Sequence, residues 1–351
     1  MSEVNTLIGL DAMRHFLSLI YTIPFIKDEK PKGVMVVAPP DTGKSFALMH
    51  ITSPHAVVIS DTTGAGLEKV VLETAKKHNY TGYAVIPDLI RLTSRQYGFK
   101  AFTQLMNILL EEGLQRIERA NLSIRSPKAL RFGLIAALTV DSFIEHYDEL
   151  NSIGFISRQL VVSFSYCDYD LKRILSHTAK GTRFPYIMIK PPEGGNVEVE
   201  VPDERIKGIN KLARFICKMR GDEAIKRATE QARSLVKAQA VLNGHHKVTS
   251  RDLNEVFSLL PLFRVPEIVK VPGTGKKKKK YGMFMKAPFK GGTDAEYFLL
   301  RGIVEDKDPT KYFGKNKRFP EYELPIAISR LEGKLIKRHE DGSVSILKLD
   351  E

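Results

Sequence analysis

Five short, strand-length apolar runs punctuate the first 200 positions: Val34–Val37, His55–Ser60, Tyr83–Ile86, Gly133–Thr139 and Gln159–Ser163. Their hydrophobic stretches do not alternate with polar residues as a half-exposed strand would, so they predict strands buried on both faces. Segments with helical spacing fall between them, FTQLMNILLEEG being the clearest. Strand and helix in alternation mark a parallel sheet within an α/β fold.

Beyond position 200 the pattern changes. ERIKGINKLARFICKMR, EAIKRATEQARSLVKAQAVLNG and SRDLNEVFSLLPLF carry helical spacing and no strand signal, with Ser250 as the expected N-cap of the last. VPGTGKKKKKYGMFMKAPFKGGT is rich in Gly, Pro and Lys and reads as a linker or arm. The final stretch opens with AEYFLLRGIVE, a helix, and closes with LIKRH and SVSILKL flanking the turn signal Glu340-Asp341-Gly342, a β-hairpin. The chain thus divides into an α/β domain (1–200), a helical domain (201–265), a basic linker (266–293) and a small C-terminal domain (294–351).

Composition narrows the partners. The net charge of +13 favours polyanions, nucleic acid first and a membrane surface second. No apolar run approaches the roughly 18 residues of a membrane span, and MSEVNTLIGL lacks the basic start of a signal peptide. Two cysteines, Cys167 and Cys217, allow neither a disulfide framework nor a zinc knuckle, so a cytoplasmic protein with reduced thiols is expected.

The first strand runs into VVAPPDTGKSFALMH, a variant of the phosphate-binding pattern G-x-x-x-x-G-K-[ST] between strand and helix. Ala38 replaces the opening glycine; Pro40 and Thr42 lie within the loop. Gly43 lets the backbone approach a phosphate, Lys44 supplies a charge for β/γ-phosphates, and Ser45 offers a hydroxyl to Mg²⁺. ATP with Mg²⁺ is the expected ligand. Asp88 ends the third strand, where an acid can hold the metal through water. Thr139 ends the fourth strand, and Arg158 precedes the fifth.

This order of motifs resembles the AAA+ ATPases, and within them the minichromosome-maintenance (MCM) helicase branch. The family loop has the form G-D-P-S-T-A-K-S, matched here by Pro40, Thr42, Lys44 and Ser45; TTGAGL resembles the turn after its second strand. The resemblance implies a sensor role for Thr139 and an arginine finger at Arg158, in ISR. It also implies a lid arginine at Arg227, in KRATEQARSLVKAQA, with Ala238 and Ala240 on the family's alanines. Read from the residues alone, Arg158 also suits a salt bridge at a strand edge, and Arg227 an exposed helix position.

Three departures stand beside it. Leu89 follows Asp88 where the family has Asp-Glu, so Asp88 is either a metal residue with no glutamate behind it or itself in the glutamate's place. About 20 residues between Gly66 and Asp88 leave no room for the hairpin inserted in the family's second helix. This sequence is not expected to form the family's N-terminal oligonucleotide-binding domain.

QRIERANLSIRSPKALRFGLIAALT reads as two strands turning at Ser126-Pro127-Lys128, with Arg125 and Lys128 at a tip that either meets DNA phosphates or is simply solvated. The C-terminal helix and hairpin suggest a winged helix, a module for DNA or for protein docking. Its candidate DNA contacts are Lys315, Lys317, Arg318, Arg330, Lys334, Lys337 and Arg338. The expectation is a homo-oligomeric ring on DNA acting with replication proteins as helicase, loader or initiator. The alternatives are a non-catalytic DNA-binding adaptor that uses ATP as an assembly switch, or an ATP-dependent transcription regulator.

Overall fold

The computed structural model describes residues 7–60, 64–77, 81–89, 96–119, 122–164, 166, 168–181, 184–193, 195–220 and 223–263, and in the C-terminal part 299, 324, 328, 336–338 and 344–346. Two compact units emerge: Leu17–Val161 with Tyr186–Val199, and Met1–Phe16 with Val162–Pro185 and Glu200–Glu351.

The first unit is built on a sheet. Its strands are β1 (Gly33–Ala38), β3 (Ala56–Val58), β4 (Thr81–Ile86), β5 (Leu114–Arg119), β6 (Leu122–Thr139) and β7 (Gln159–Val162), with a separate parallel pair of β2 (Ile51–Thr52) and β8 (Ile187–Met188). The order is β3-β4-β6-β1-β7, with β5 on β6, and β3–β4, β4–β6 and β6–β1 pair in parallel. The fold is therefore α/β with a mainly parallel sheet. Every residue of β1 is buried, and so are all but the first of β4, which is why both read as unbroken apolar runs. Tyr83 is fully enclosed; its hydroxyl donates to Ile20 O (2.8 Å) and accepts from the Lys32 amide (3.3 Å), which satisfies the polar tip in the core.

Topology marks one end of this sheet. After β1 the chain crosses to the far edge at β3, returns through β4 and β6 to β1, and passes it to reach β7. Right-handed crossovers running in opposite directions emerge on opposite faces of a sheet. The connections after β1 and β6 therefore diverge, and a crevice is expected at the carboxyl end of β1.

Helices α1 (Asp11–Thr22), α2 (Lys44–His50), α3 (Gly64–Lys77), α4 (Gln96–Leu110) and α5 (Val140–Ser152) intervene between strands or flank them. Two expectations need correction here. Gly64 and Gly66 belong to α3 rather than to a turn, because Leu67, Val70, Val71 and Ala75 carry the helical period through that segment. The β5–β6 hairpin does not turn at Ser126-Pro127-Lys128: Arg119 pairs with Leu122, and Arg116 with Arg125. Ser126-Pro127-Lys128 falls instead in a register shift, where the pairing moves from Arg116↔Arg125 to Leu114↔Leu130. Proline donates no ladder hydrogen bond, and an irregularity within a strand accommodates it as well as a turn does.

The second unit is mainly helical, with α6 (Asp168–Ala179), α7 (Asp203–Arg220), α8 (Ile225–Leu242) and α9 (Ser250–Phe257). Ala228, Ala232, Ala238 and Ala240 are fully buried along α8, where small side chains permit close helix approach. The N-cap of α9 is Thr249, not Ser250. The spacing Thr249-x-x-Asp252 completes a reciprocal capping box that a cap one residue later cannot form. Asp252 is wholly buried and accepts further hydrogen bonds from Asn243 (2.7 Å) and His245 (3.0 Å).

In the C-terminal part, β9 (Ile336–Arg338) and β10 (Val344–Ile346) form an antiparallel pair, with Ile336 opposite Ile346 and Arg338 opposite Val344. The two strands expected on either side of Glu340-Asp341-Gly342 thus pair, while those three residues lie outside the described residues. Among the described residues, no helix is long and apolar enough to cross a membrane.

Candidate functional site at the carboxyl edge of the sheet

Ala38 is the last residue of β1 and pairs in register with Thr139, the last of β6. The loop 39–43 leaves from that point. Pro39 and Pro40 have no amide hydrogen, so the donors of this turn come from Asp41 onward. Asp41 has φ 57° and Gly43 φ 74°. The left-handed backbone at Gly43 turns the chain directly into α2, and the Gly43 carbonyl accepts the amide of Ala47 (2.8 Å). α2 itself spans only Lys44–His50 before the chain becomes β2.

Three polar side chains of the loop converge on backbone carbonyls. Lys44 Nζ donates to Pro39 O (2.5 Å), Thr42 Oγ1 donates to the same oxygen (2.8 Å), and Ser45 Oγ donates to Pro87 O (2.7 Å). The last bond brings Ser45 beside the residue that precedes Asp88. Lys44 is only 9 % exposed, and burial lowers its pKa; the negative charges of Asp41 and Asp88 oppose that shift. A partly desolvated ammonium, two hydroxyls and two carboxylates therefore share one edge of the sheet. Such a set suits a phosphate with a divalent cation: the ammonium for the anion, the hydroxyl and carboxylate for the metal. Pro40 lies exposed on the rim of the loop.

Asp88 itself is half-buried, whereas Leu89 is fully buried and its amide donates to Ala137 O (3.0 Å). The position after Asp88 therefore belongs to the packed core of the sheet. Thr139 is engaged as the N-cap of α5: its hydroxyl accepts from the Ser142 amide (3.2 Å) and donates to Ser142 Oγ (2.9 Å).

Arg158 lies at the other edge. It ends the 3₁₀ turn Ile156–Arg158 and immediately precedes β7. A side chain at Gly33, the first residue of β1, would collide with Gln159, the first of β7, so both strands start at the same edge. Arg158 is therefore separated by the length of β1 from the loop of its own chain, roughly 15–20 Å at strand rise. There it forms the salt bridge that its residue type allowed: Nη2 pairs with Glu111 Oε2 (3.0 Å) and Nη1 donates to Gly154 O (2.6 Å). Sequence reasoning missed Glu111 and Gly154. Glu111 stands 47 positions away and has no motif around it.

Arg227 lies in the first turn of α8, half-buried, within the helical unit. Arg125 and Lys128 sit inside β6 rather than at a hairpin tip, with Lys128 exposed. Lys337 and Arg338 lie on β9. Lys315, Lys317, Arg318, Arg330 and Lys334 are outside the described residues, as is the lysine run. Sequence reasoning also missed Asp41, whose positive φ only the folded loop reveals.

The fold thus defines a class: an α/β protein with a mainly parallel sheet and a polar loop at its topological switch point. No family model matches the chain, and no curated protein matches it either.

Proposed function

We propose that this protein binds Mg·ATP at the loop 38–45 and works as an AAA+ ATPase of MCM-like character, assembled into a homo-oligomeric ring on DNA. The observation that carries the reading is the convergence of Lys44, Ser45 and Asp88 beside the Ala38–Thr139 pair, at the end of the sheet where topology opens a crevice. Lys44 would hold the β/γ-phosphates, and Ser45 with Asp88 the Mg²⁺; the metal, when bound, neutralises charge on the phosphates. Binding would exchange the contacts of Lys44 and Ser45 with Pro39 O and Pro87 O for contacts with the ligand. Thr139 supports the floor of the site through the cap of α5.

Arg158 faces the opposite edge from its own loop, which supports a role on a neighbouring subunit's nucleotide and none on its own. Arg227 in the helical unit would report the γ-phosphate to the lid. The β9–β10 hairpin supports a C-terminal winged helix, which with Lys315, Lys317, Arg318, Arg330, Lys334, Lys337 and Arg338 would meet DNA phosphates. Replication is the process that this reading implies, as helicase, loader or initiator.

The buried Leu89 favours a second reading, an adaptor that uses ATP to assemble and hydrolyses it slowly. General-base help is worth about 10²–10⁴-fold, and no acid follows Asp88 to give it. One experiment separates the two. Arg158→Ala subunits should bind an ATP analogue normally and fail to hydrolyse ATP, and mixing them with Lys44→Ala subunits should restore part of the activity. Brisk DNA-stimulated turnover would exclude the adaptor; hydrolysis by a strictly monomeric protein would exclude a finger acting in trans.

A further inference from the structure

Arg158 is held in place by its own chain through two groups. The Glu111 carboxylate, just past the end of α4, pairs with Nη2 at 3.0 Å. The Gly154 carbonyl, in the turn after α5, accepts from Nη1 at 2.6 Å. Gly154 adopts φ 66°, and a Cβ built there would stand 2.7 Å from Nη1, so the guanidinium occupies space that only glycine leaves open. The Arg158 side chain is 18 % exposed and its Nε is buried without a hydrogen-bond partner. An arginine carries two N–H groups on each Nη, so one bond at Nη1 and one at Nη2 leave a second donor on each.

We propose that Glu111 and Gly154 are positioning residues for Arg158, holding its guanidinium pre-formed at the sheet edge so that it can engage an anion brought by a neighbouring copy. A long side chain left free would have to lose its rotamer freedom at the moment of contact; a planar fork locked at two points has already lost it. The Glu111 charge also keeps the partly buried guanidinium from standing uncompensated in the separate protomer. The inference rests on the trans-acting reading of Arg158 given above.

The test begins without nucleotide. In nitrogen-15 arginine spectra of the full chain, one guanidinium should show hindered rotation about its Nε–Cζ bond, assigned by its loss in Arg158→Ala. Glu111→Ala should release it. Glu111→Gln, which retains an acceptor oxygen, should preserve most of the hindrance. With ATP, Glu111→Ala should lower the hydrolysis rate about tenfold, the scale expected for losing a charge-assisted hydrogen bond. Glu111→Gln should recover most of that loss, and analogue affinity at the chain's own loop should stay unchanged. Gly154→Ala should act in the same direction on the spectrum and the rate, with thermal unfolding followed in parallel to separate displacement of Arg158 from general destabilisation. Two results would overturn the proposal: a freely rotating Arg158 in the unaltered chain, or normal hydrolysis in Glu111→Ala while Arg158→Ala has none. A hindered Arg158 whose replacement leaves hydrolysis and analogue-dependent assembly at full strength would overturn the trans-acting reading instead, and the catalytic part of this proposal with it.

Discussion

Ala38 and Thr139 face each other as in-register partners at the carboxyl ends of two adjacent parallel strands. One leads into the polar loop and the other caps the following helix α5. Thr139→Val should remove the hydroxyl that accepts from the Ser142 amide and lower stability by about 1 kcal/mol. Thr139→Ser should retain the cap. Urea unfolding of both variants checks this, and equal stability of the valine variant and the native protein would remove the capping role.

Lys44 carries the positive charge of the loop. Lys44→Ala should abolish binding of a fluorescent ATP analogue while unfolding stays cooperative, because backbone amides alone do not replace a charge facing phosphate. Unaltered affinity would refute a phosphate site at this loop.

The same lysine sets an alkaline limit. Burial lowers its pKa from the ordinary 10.5, so its proton is lost at a lower pH than that of a solvated lysine. An anion binds the protonated form better and pulls the pKa back up. Affinity should therefore fall as pH rises through a midpoint below the ordinary lysine value, with proton uptake on binding. Calorimetry in buffers of different ionisation enthalpy measures that uptake; a flat affinity up to the ordinary lysine range would contradict it.

Asp252 should make the helical unit sensitive to acid. Burial would raise its carboxyl pKa, but hydrogen bonds from the Thr249 amide, Asn243, His245 and the Thr249 hydroxyl outweigh burial and hold it below the ordinary 3.8. The folded pKa is depressed, so this contribution is fully present above the ordinary carboxylate value and is lost as pH falls below it. Asp252→Ala leaves those donors without their acceptor and should lower stability by roughly 2–3 kcal/mol. In a comparison of acid unfolding curves, the variant should lack the part of the transition that this carboxylate contributes.

DNA affinity should be largely electrostatic and should reside in the C-terminal part. Each phosphate contact adds about −0.9 to the slope of log K against log salt on duplex DNA. Removing residues 270–351 should flatten that slope. Undiminished binding with the same salt dependence would shift the contact to the sheet unit, where Arg125 and Lys128 lie along β6.

Local pattern was enough to specify several of the elements. Unbroken apolar runs announced β1 and β4 because both are covered on each face, and the 3.6-residue period announced α7, α8 and α9 because one stripe of each is buried. The loop 38–45 was legible for a related reason: its residues are contiguous, and their chemistry is tied to their spacing. Pairing was not legible. The hairpin turned at a different place because strand register depends on partners across the sheet, and the sequence of β6 alone holds no record of Arg116 opposite Arg125. Arg158 was legible as a finger or a salt-bridge residue, but its partner was not, because only folding brings Glu111, 47 residues distant, to within 3.0 Å. Contacts between residues far apart in the chain are products of packing, and packing is a property of the assembled sheet and helices together.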